Sequence, residues 1–123
     1  MSQKLARLLG FAKLDKDHPF RPYARLAVEW RDDQATELAA TFGGGQLSPG
    51  VNSIVASAAL SLAASRYLHD QAAEKSDAKL FAQSARLADQ SRQAILTAHE
   101  LAAREARART TPTGAPLPKV RTL

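Results

Sequence analysis

Hydrophobic residues follow helical spacing over most of the chain between about residue 48 and residue 108. The first stretch opens at Ser48-Pro49, where Ser48 can cap a helix and Pro49 suits the first helical position, which needs no backbone N–H. The apolar face continues to near Ala73, and this spacing predicts a long amphipathic helix. Its main positions are Val51, Ile54, Val55, Ala58 and Leu62.

A second amphipathic stretch begins at Ser76-Asp77 and continues to about Ala108. Its apolar or small residues recur at alternating intervals of four and three residues, so they form a continuous seam along one side of a helix. A second such seam runs beside the first. The connection between the two stretches is short and polar, so they are predicted to form an antiparallel hairpin in which position 69 faces roughly position 84. The first seam is Leu80, Ser84, Leu87, Ser91, Ala94, Ala98 and Leu101, and the second is Phe81, Ala88, Ile95 and Ala102.

The predicted fold class is all-α: a long antiparallel helical hairpin with a smaller N-terminal helical segment and an extended C-terminal tail. Prolines exclude regular helix from the linker (Pro19, Pro22) and from the tail (Pro112, Pro116, Pro118). The predicted segments are residues 1–22, basic N-terminal segment and linker; 23–46, amphipathic helix ending in a hinge of three glycines; 47–109, hairpin; and 110–123, Pro-rich flexible tail.

Composition limits the chemistry of the chain. Alanine, leucine, arginine and glutamine dominate, which favours helix, and the absence of cysteine excludes disulfides, thiol chemistry and cysteine-ligated metals. The longest weakly polar run, residues 51–65, is too short to span a bilayer. We therefore expect a cytoplasmic protein that binds no cofactor and no membrane.

The net charge of +5 is concentrated at the two ends. Residues 1–22 hold five Lys or Arg against two Asp, and residues 109–123 hold three bases and no acid. Such ends are candidates for contacts with phosphate backbones or with an acidic partner, and the alternative is that they only increase solubility.

Catalytic and metal-binding patterns are not found. The serines at every fourth position from Ser53 to Ser65 lie in no nucleophile motif, so close helix packing explains them better. The three histidines have no metal-ligand spacing, and the glycine triplet lacks the Lys-Ser or Lys-Thr of a phosphate-binding loop. The acidic side of the first amphipathic helix (Glu29, Asp32, Asp33, Glu37) fits a solvated face. We predict a protein that is not an enzyme and holds no metal.

The length of the hairpin predicts self-association. At about 1.5 Å rise per residue its arms reach roughly 35–45 Å, and residues 1–42 remain to cover them. The second seam would therefore stay in contact with water unless another copy of the chain buried it. The candidate oligomerisation residues are Ile54, Leu62, Leu80, Phe81, Leu87, Ile95 and Leu101.

The stretch from Pro49 to Arg109 resembles the helical-hairpin part of the small terminase subunits of tailed phages. The resemblance covers about half of the chain and rests on its alanine-rich hairpin texture, including Ser84-Ala85-Arg86-Leu87-Ala88-Asp89 and Glu100-Leu101-Ala102-Ala103-Arg104-Glu105. Members of that family are non-catalytic DNA-packaging proteins. They form rings through central helices, bind double-stranded DNA at the packaging site and engage a larger, ATP-driven subunit through their C-terminal segments.

The resemblance implies a role for each segment, in the host cytoplasm if a phage encodes the chain. Residues 51–105 would form the ring. Many family members carry an N-terminal helix-turn-helix, whereas here a proline-bounded linker separates the two N-terminal helices and the second has net negative charge, which argues against sequence-specific DNA reading. Non-specific phosphate contact stays open. The implied DNA contacts are Lys4, Arg7, Lys13, Lys16 and Arg21, and the implied docking tail is Leu117, Lys119, Val120, Arg121 and Leu123.

A second hypothesis fits the same patterns. The chain would be a helical protein-protein scaffold or assembly module without nucleic-acid binding, and its basic ends would seek an acidic protein partner. The two hypotheses differ in whether DNA is bound with an affinity that falls steeply as salt rises.

Overall fold

Three α-helices make up most of the part of the chain that the computed structural model describes, residues 18–110. They are α1 (Arg21–Leu38), α2 (Pro49–Lys75) and α3 (Ala78–Thr110). Within residues 18–110 no strand occurs, and the prediction of an all-α protein is confirmed for this range. The predicted C-terminal tail lies outside the described residues.

Helix α1 begins inside the segment that the sequence assigned to a linker. It includes Pro22, because the first turn of a helix leaves its N–H groups unpaired and therefore tolerates proline. The backbone N–H of Phe20, the residue before the helix, donates to Nδ1 of His18 (3.0 Å). The helix predicted from position 23 therefore begins two residues earlier, at Arg21, and only the extension of the linker through Pro22 is wrong.

Helix α1 is followed directly by a π-helical segment, Ala39–Gly43. A π-helix has more residues per turn than an α-helix, so side chains beyond Leu38 are displaced from α-helical spacing. Gly44 and Gly45 then have φ angles of 60° and 102°, which L side chains rarely adopt. The glycine triplet thus ends the helical backbone before the chain enters α2.

Helix α2 is capped by Ser48 and joined there to the far end of α3. The Ser48 hydroxyl oxygen accepts from the N–H of Val51 (3.2 Å), which pairs one of the free donors of the first turn. The same hydroxyl donates to Oε2 of Glu105 (3.0 Å). One side chain therefore caps α2 and contacts the last turns of α3.

The connection between α2 and α3 consists of Ser76 and Asp77. Ser76 has a left-handed backbone (φ 52°), and its N–H donates to the carbonyl of Ala72, which closes the end of α2. Oδ1 of Asp77 accepts from the N–H groups of Lys79 (2.9 Å) and Leu80 (3.4 Å), so Asp77 caps α3.

Buried serines bring the backbones of α2 and α3 close together. Oγ of Ser65 donates to the carbonyl of Ser84, and Oγ of Ser84 donates to the carbonyl of Ser65, each at 2.8 Å. Farther from the turn, Oγ of Ser91 donates to the carbonyl of Ala58 (2.7 Å). These short side chains satisfy their hydroxyls on the opposite backbone, and such contacts require the two helices to lie side by side without large residues between them.

The register of these contacts differs from the sequence-based expectation. Ser65, rather than His69, lies opposite Ser84. His69 instead contacts the ring of Phe81, with ring centroids 5.4 Å apart. The sequence predicts the start of α3 at Ser76-Asp77, so the offset comes from the serine contacts between the two helices, which spacing along either helix does not reveal.

The repeat of serines along α2 is not itself the packing surface. Ser53 and Ser57 are exposed and Ser61 is half-buried, whereas Ser65 is buried. Alanines carry most of the close packing instead. One cluster, between α1 and α2, consists of Ala24, Ala27, Ala56, Ala59 and Ala63.

A second core cluster joins all three helices. It contains Leu38 from α1, Val51 and Val55 from α2, and Ala98 and Ala102 from α3. The guanidinium of Arg109 also donates to the carbonyl of Phe42, in the π-helical segment. Helix α1 therefore lies over α2 for most of its length, and its C-terminal end reaches α3.

Replacing a buried serine of the α2–α3 contact by a large residue should destabilise the fold. We expect Ser84→Leu to lower the free energy of unfolding by roughly 1–3 kcal/mol or more, because the added atoms have no space between the two backbones. Ser53→Leu, at an exposed position of α2, is the matched control and should stay within about 0.5 kcal/mol of the wild type. Urea denaturation followed by circular dichroism measures both, and equal effects would contradict this packing.

Candidate self-association surface

A groove opens between the N-terminal half of α1 and the N-terminal half of α3, with α2 as its floor. We call it the wedge groove, because α1 contacts α3 near Leu38 and lies away from it near Tyr23. Its volume is about 570 Å³. The residues that define it are Tyr23 and Leu26 on α1, Arg66, His69 and Asp70 on α2, and Phe81, Ala85 and Ala88 on α3.

The walls of the wedge groove are apolar and open to water. Leu26 is 44% exposed and Phe81 is 40% exposed, which makes them two of the large hydrophobic residues least covered by the fold. His69 lies edge-on to the Phe81 ring, at an interplanar angle of 73°. Covering side chains of this size contributes on the order of 1–2 kcal/mol each, so the groove favours contact with an apolar surface.

Within the chain, only the C-terminal half of the second seam of α3 is covered by other residues. Ile95 packs against the second core cluster and Ala102 is buried in it, because Leu38 and the π-helical segment lie over this half of α3. Phe81 and Ala88, in the other half, are exposed along the wedge groove. The expectation that the whole second seam lies open is wrong for its C-terminal half.

A hydrogen bond fixes the polar end of the groove. The hydroxyl of Tyr23 donates to the carboxylate of Asp70. This bond, together with partial burial and the negative charge of Asp70, raises the pKa of Tyr23 above its ordinary value of 10.0. The same bond holds α1 against α2.

Three aromatic rings stand next to this bond. Tyr67 lies edge-on to both Phe20 and Tyr23, with centroid distances of 5.4 Å in each case. Edge-to-face packing of this kind adds to the apolar contact between α1 and α2. The N-terminal half of α1 is thus held on α2, away from α3, and the wedge groove stays open.

The predicted oligomerisation residues fall into three groups in the structure. Ile54, Ile95 and Leu101 pack against the second core cluster of the same chain. Leu62 lines a smaller pocket of about 170 Å³ beside Trp30, and Phe81 stands in the wedge groove. Leu80 and Leu87 are half-buried on the first seam of α3. All of these residues except Phe81 are half-buried, and Phe81, at 40% exposed, retains the most surface for another molecule.

Most of the predicted DNA and docking residues lie outside the described part of the chain. This holds for Lys4, Arg7, Lys13 and Lys16 and for the whole tail set, Leu117, Lys119, Val120, Arg121 and Leu123. Arg21 is half-buried as the first residue of α1. Residues 18–110 carry eleven Lys or Arg against ten Asp or Glu, so the three-helix fold is nearly neutral.

Several residues of the groove were missed by the sequence analysis. Tyr23 and Asp70 are 47 positions apart, and neither stands in a recognisable motif. His69 was considered only as a metal ligand, and among residues 18–110 no group of three or more His, Cys, Asp or Glu is placed to hold a metal ion. Helical spacing did give Phe81 and Ala88 as one seam, and that part of the groove was accessible from sequence.

Comparison with known proteins adds no relative. No protein-family model matches the chain, and neither a curated protein nor a solved structure is significantly similar to it. In the described range, none of the helices has the length and apolar character needed to cross a membrane.

The hydrogen bond between Tyr23 and Asp70 should be visible in a pH titration. In a Tyr67→Phe protein, Tyr23 is the sole tyrosine, and we expect its phenolate absorbance to appear with a midpoint above 10.0. Adding Asp70→Asn should lower that midpoint, because the acceptor charge that favours the protonated hydroxyl is removed. Folded-state stability should correspondingly fall as the pH rises above about 10, because the raised pKa favours the protonated folded form. An unchanged midpoint in the double variant would contradict the bond.

Proposed function

We propose that this chain is a non-catalytic, self-assembling adaptor built on an antiparallel helical hairpin, with the role that the resemblance to phage small terminase subunits implies. The observation that carries the proposal is the incomplete cover of the hairpin. Helix α1 packs on α2 and reaches α3 only near its C-terminal end, so Phe81 and Leu26 on one flank and Leu80 and Leu87 on the other remain partly in water. Other copies of the chain supply the missing cover.

Contact with double-stranded DNA is assigned to the ends of the chain. The fold between residues 18 and 110 is nearly neutral, so most of the +5 net charge belongs to the residues before and after it. Lys4, Arg7, Lys13, Lys16 and Arg21 are the candidates for phosphate contacts. In an oligomer these basic segments are repeated, so several weak contacts act together on one DNA. Residues 110–123 are assigned to a larger packaging subunit.

A protein-only scaffold is the second candidate, and one observation favours it. Glu29, Asp32, Asp33 and Glu37 are exposed along α1, and they would repel a phosphate backbone close to this helix. In that case the same hairpin assembles copies, and the basic ends bind an acidic protein.

Self-assembly is tested by the mass of the full chain in solution. We expect light scattering to give at least twice the 13.2 kDa of one chain, with a mass that falls on dilution. The driving force is burial of the flanks of α3 that α1 leaves open. A mass of one chain at every concentration would contradict both candidate functions.

DNA binding is tested by gel-shift titration at two salt concentrations. We expect the affinity for DNA to fall steeply as salt rises. In a plot of the logarithm of the binding constant against the logarithm of the salt concentration, each phosphate contact should add about −0.9 to the slope. Replacing the N-terminal bases by glutamine should weaken DNA binding and flatten this slope; these bases are Lys4, Arg7, Lys13 and Lys16. The matched control replaces four exposed bases of the hairpin by glutamine and should change the affinity and the slope less; these are Lys75, Lys79, Arg86 and Arg104. If the chain forms an oligomer but binds no DNA at low salt, the DNA-binding adaptor is contradicted and the protein-only scaffold is favoured.

A further inference from the structure

The hairpin has a second open surface on the side that α1 does not cover. Five positions of helix α2 contribute to this surface. They are spaced four, three, four and three residues apart, and residues with this spacing lie on one side of a helix, as in the seam of a coiled coil. None of them belongs to the alanine cluster that α1 forms with α2. They are Ser57, Ser61, Ala64, Leu68 and Gln71.

Helix α3 contributes positions with the same spacing, in steps of three and four. Leu80, Leu87 and Ala94 are half-buried, and the residues between them are exposed, so this seam is partly wet in the single chain. The six positions are Leu80, Gln83, Leu87, Gln90, Ala94 and Thr97. Together with the five positions of α2 they form what we call the uncharged face.

The uncharged face contains no Asp, Glu, Lys or Arg, although charged residues make up 24% of the chain. Most charged residues of these helices lie on other sides, for example Arg66, Asp70, Arg86 and Asp89, and the α2 seam ends at Gln71 because the next position of the same spacing is Lys75. A solvated helix surface normally carries charge, whereas the centre of a protein interface is depleted of it. The face therefore has the composition of a surface that another protein covers.

The size of the face suits a contact between proteins. From Leu80 to Thr97 the face is about 25 Å long, and two adjacent helices make it about 20 Å wide. The resulting area of roughly 500 Å² is below the ~800 Å² that each partner buries in a standard interface, so the face suits a contact of the smaller class.

The shape of the face points to a second copy of the same chain as the occupant. One of its seams has leucines at Leu80 and Leu87, and the other has small residues at Ser57, Ser61 and Ala64. The Ser65–Ser84 and Ser91–Ala58 bonds set Leu87 nearly level with Ser61 and Ala64 along the hairpin. A two-fold axis parallel to the helices would place α3 of one copy over α2 of the other, so that Leu87 of each copy meets Ser61 and Ala64 of the other.

We infer that two copies of this chain pack their uncharged faces together, as a four-helix bundle in which the leucines of α3 enter the small-residue seam of α2. This arrangement rests on the self-association proposed above and names the surface that carries it. Leucine knobs between small residues are a usual packing mode of such bundles. The glutamines and Thr97 supply polar contacts at the interface without leaving a buried charge.

Two matched pairs of variants test this interface in the full chain. Leu87→Glu and Gln90→Arg place a charge in the face, whereas Leu96→Glu and Gln93→Arg place the same charge on exposed positions of α3 outside it. Sedimentation equilibrium should show the first two weakening association by roughly 10- to 100-fold, because an unpaired buried charge is strongly disfavoured. The two controls should match the wild type. If circular dichroism shows that Leu87→Glu loses helix, Gln90→Arg decides, since its side chain is exposed in the single chain.

The outcomes separate this interface from self-association in general. A wild-type mass of two chains, or a multiple of two, together with weakened association in the face variants only, supports the interface. If the wild type associates and the face variants match it, or the controls weaken equally, the uncharged face is not the contact and self-association stands. An odd number of chains also overturns the two-fold packing. A wild type that is a single chain at every concentration overturns the interface and the proposed function together.

Discussion

The close contact between the backbones of α2 and α3 is the constraint on which the rest of the structure depends. Ser65 and Ser84 exchange hydrogen bonds with each other's carbonyls, and Ser91 bonds to the carbonyl of Ala58. These bonds need short side chains at the contact, and they fix the register of the hairpin as well as its spacing. Because small residues bury little apolar area, the hairpin gains less from its own packing than a leucine-rich pair would. Additional burial has to come from its flanks.

The flanks are covered unequally. Helix α1 buries alanines on α2 and joins the second core cluster through Leu38. The C-terminal half of the second seam of α3 is therefore covered within the chain. Its N-terminal half is held on α2 by the Tyr23–Asp70 bond and the aromatic rings around it, which leaves the wedge groove open. On the other side the uncharged face has no cover from α1. The proposed assembly follows from these two open surfaces, and the DNA and docking roles follow from the charge and composition of the chain ends.

Local features of this fold could be predicted from sequence, and relative placement could not. The cap at Ser48, the helix end at the glycine triplet and the seams of α3 depend on residues within one or two turns of each other, so spacing reveals them. The register was misplaced by about one turn because it depends on which serines of α3 meet the carbonyls of α2, and not on where α3 begins. The wedge groove was missed because it depends on the direction in which α1 crosses the hairpin. Tyr23 and Asp70 meet only through that crossing, and no pattern in the sequence pairs them. The candidate DNA and docking residues, Arg21 excepted, lie outside the described range and stay predictions.

The central claim is that other copies of the chain cover the apolar surface that its own helices leave open. Hydroxyl-radical footprinting of the full chain at high and low concentration measures this directly, because it reports the solvent access of individual side chains. Leu80 and Leu87 should be protected at high concentration and become modified on dilution, while Leu96, which is 55% exposed and outside the uncharged face, should be modified at both. Equal modification at the two concentrations of Leu80 and Leu87, and also of Leu26 and Phe81 in the wedge groove, would contradict the claim.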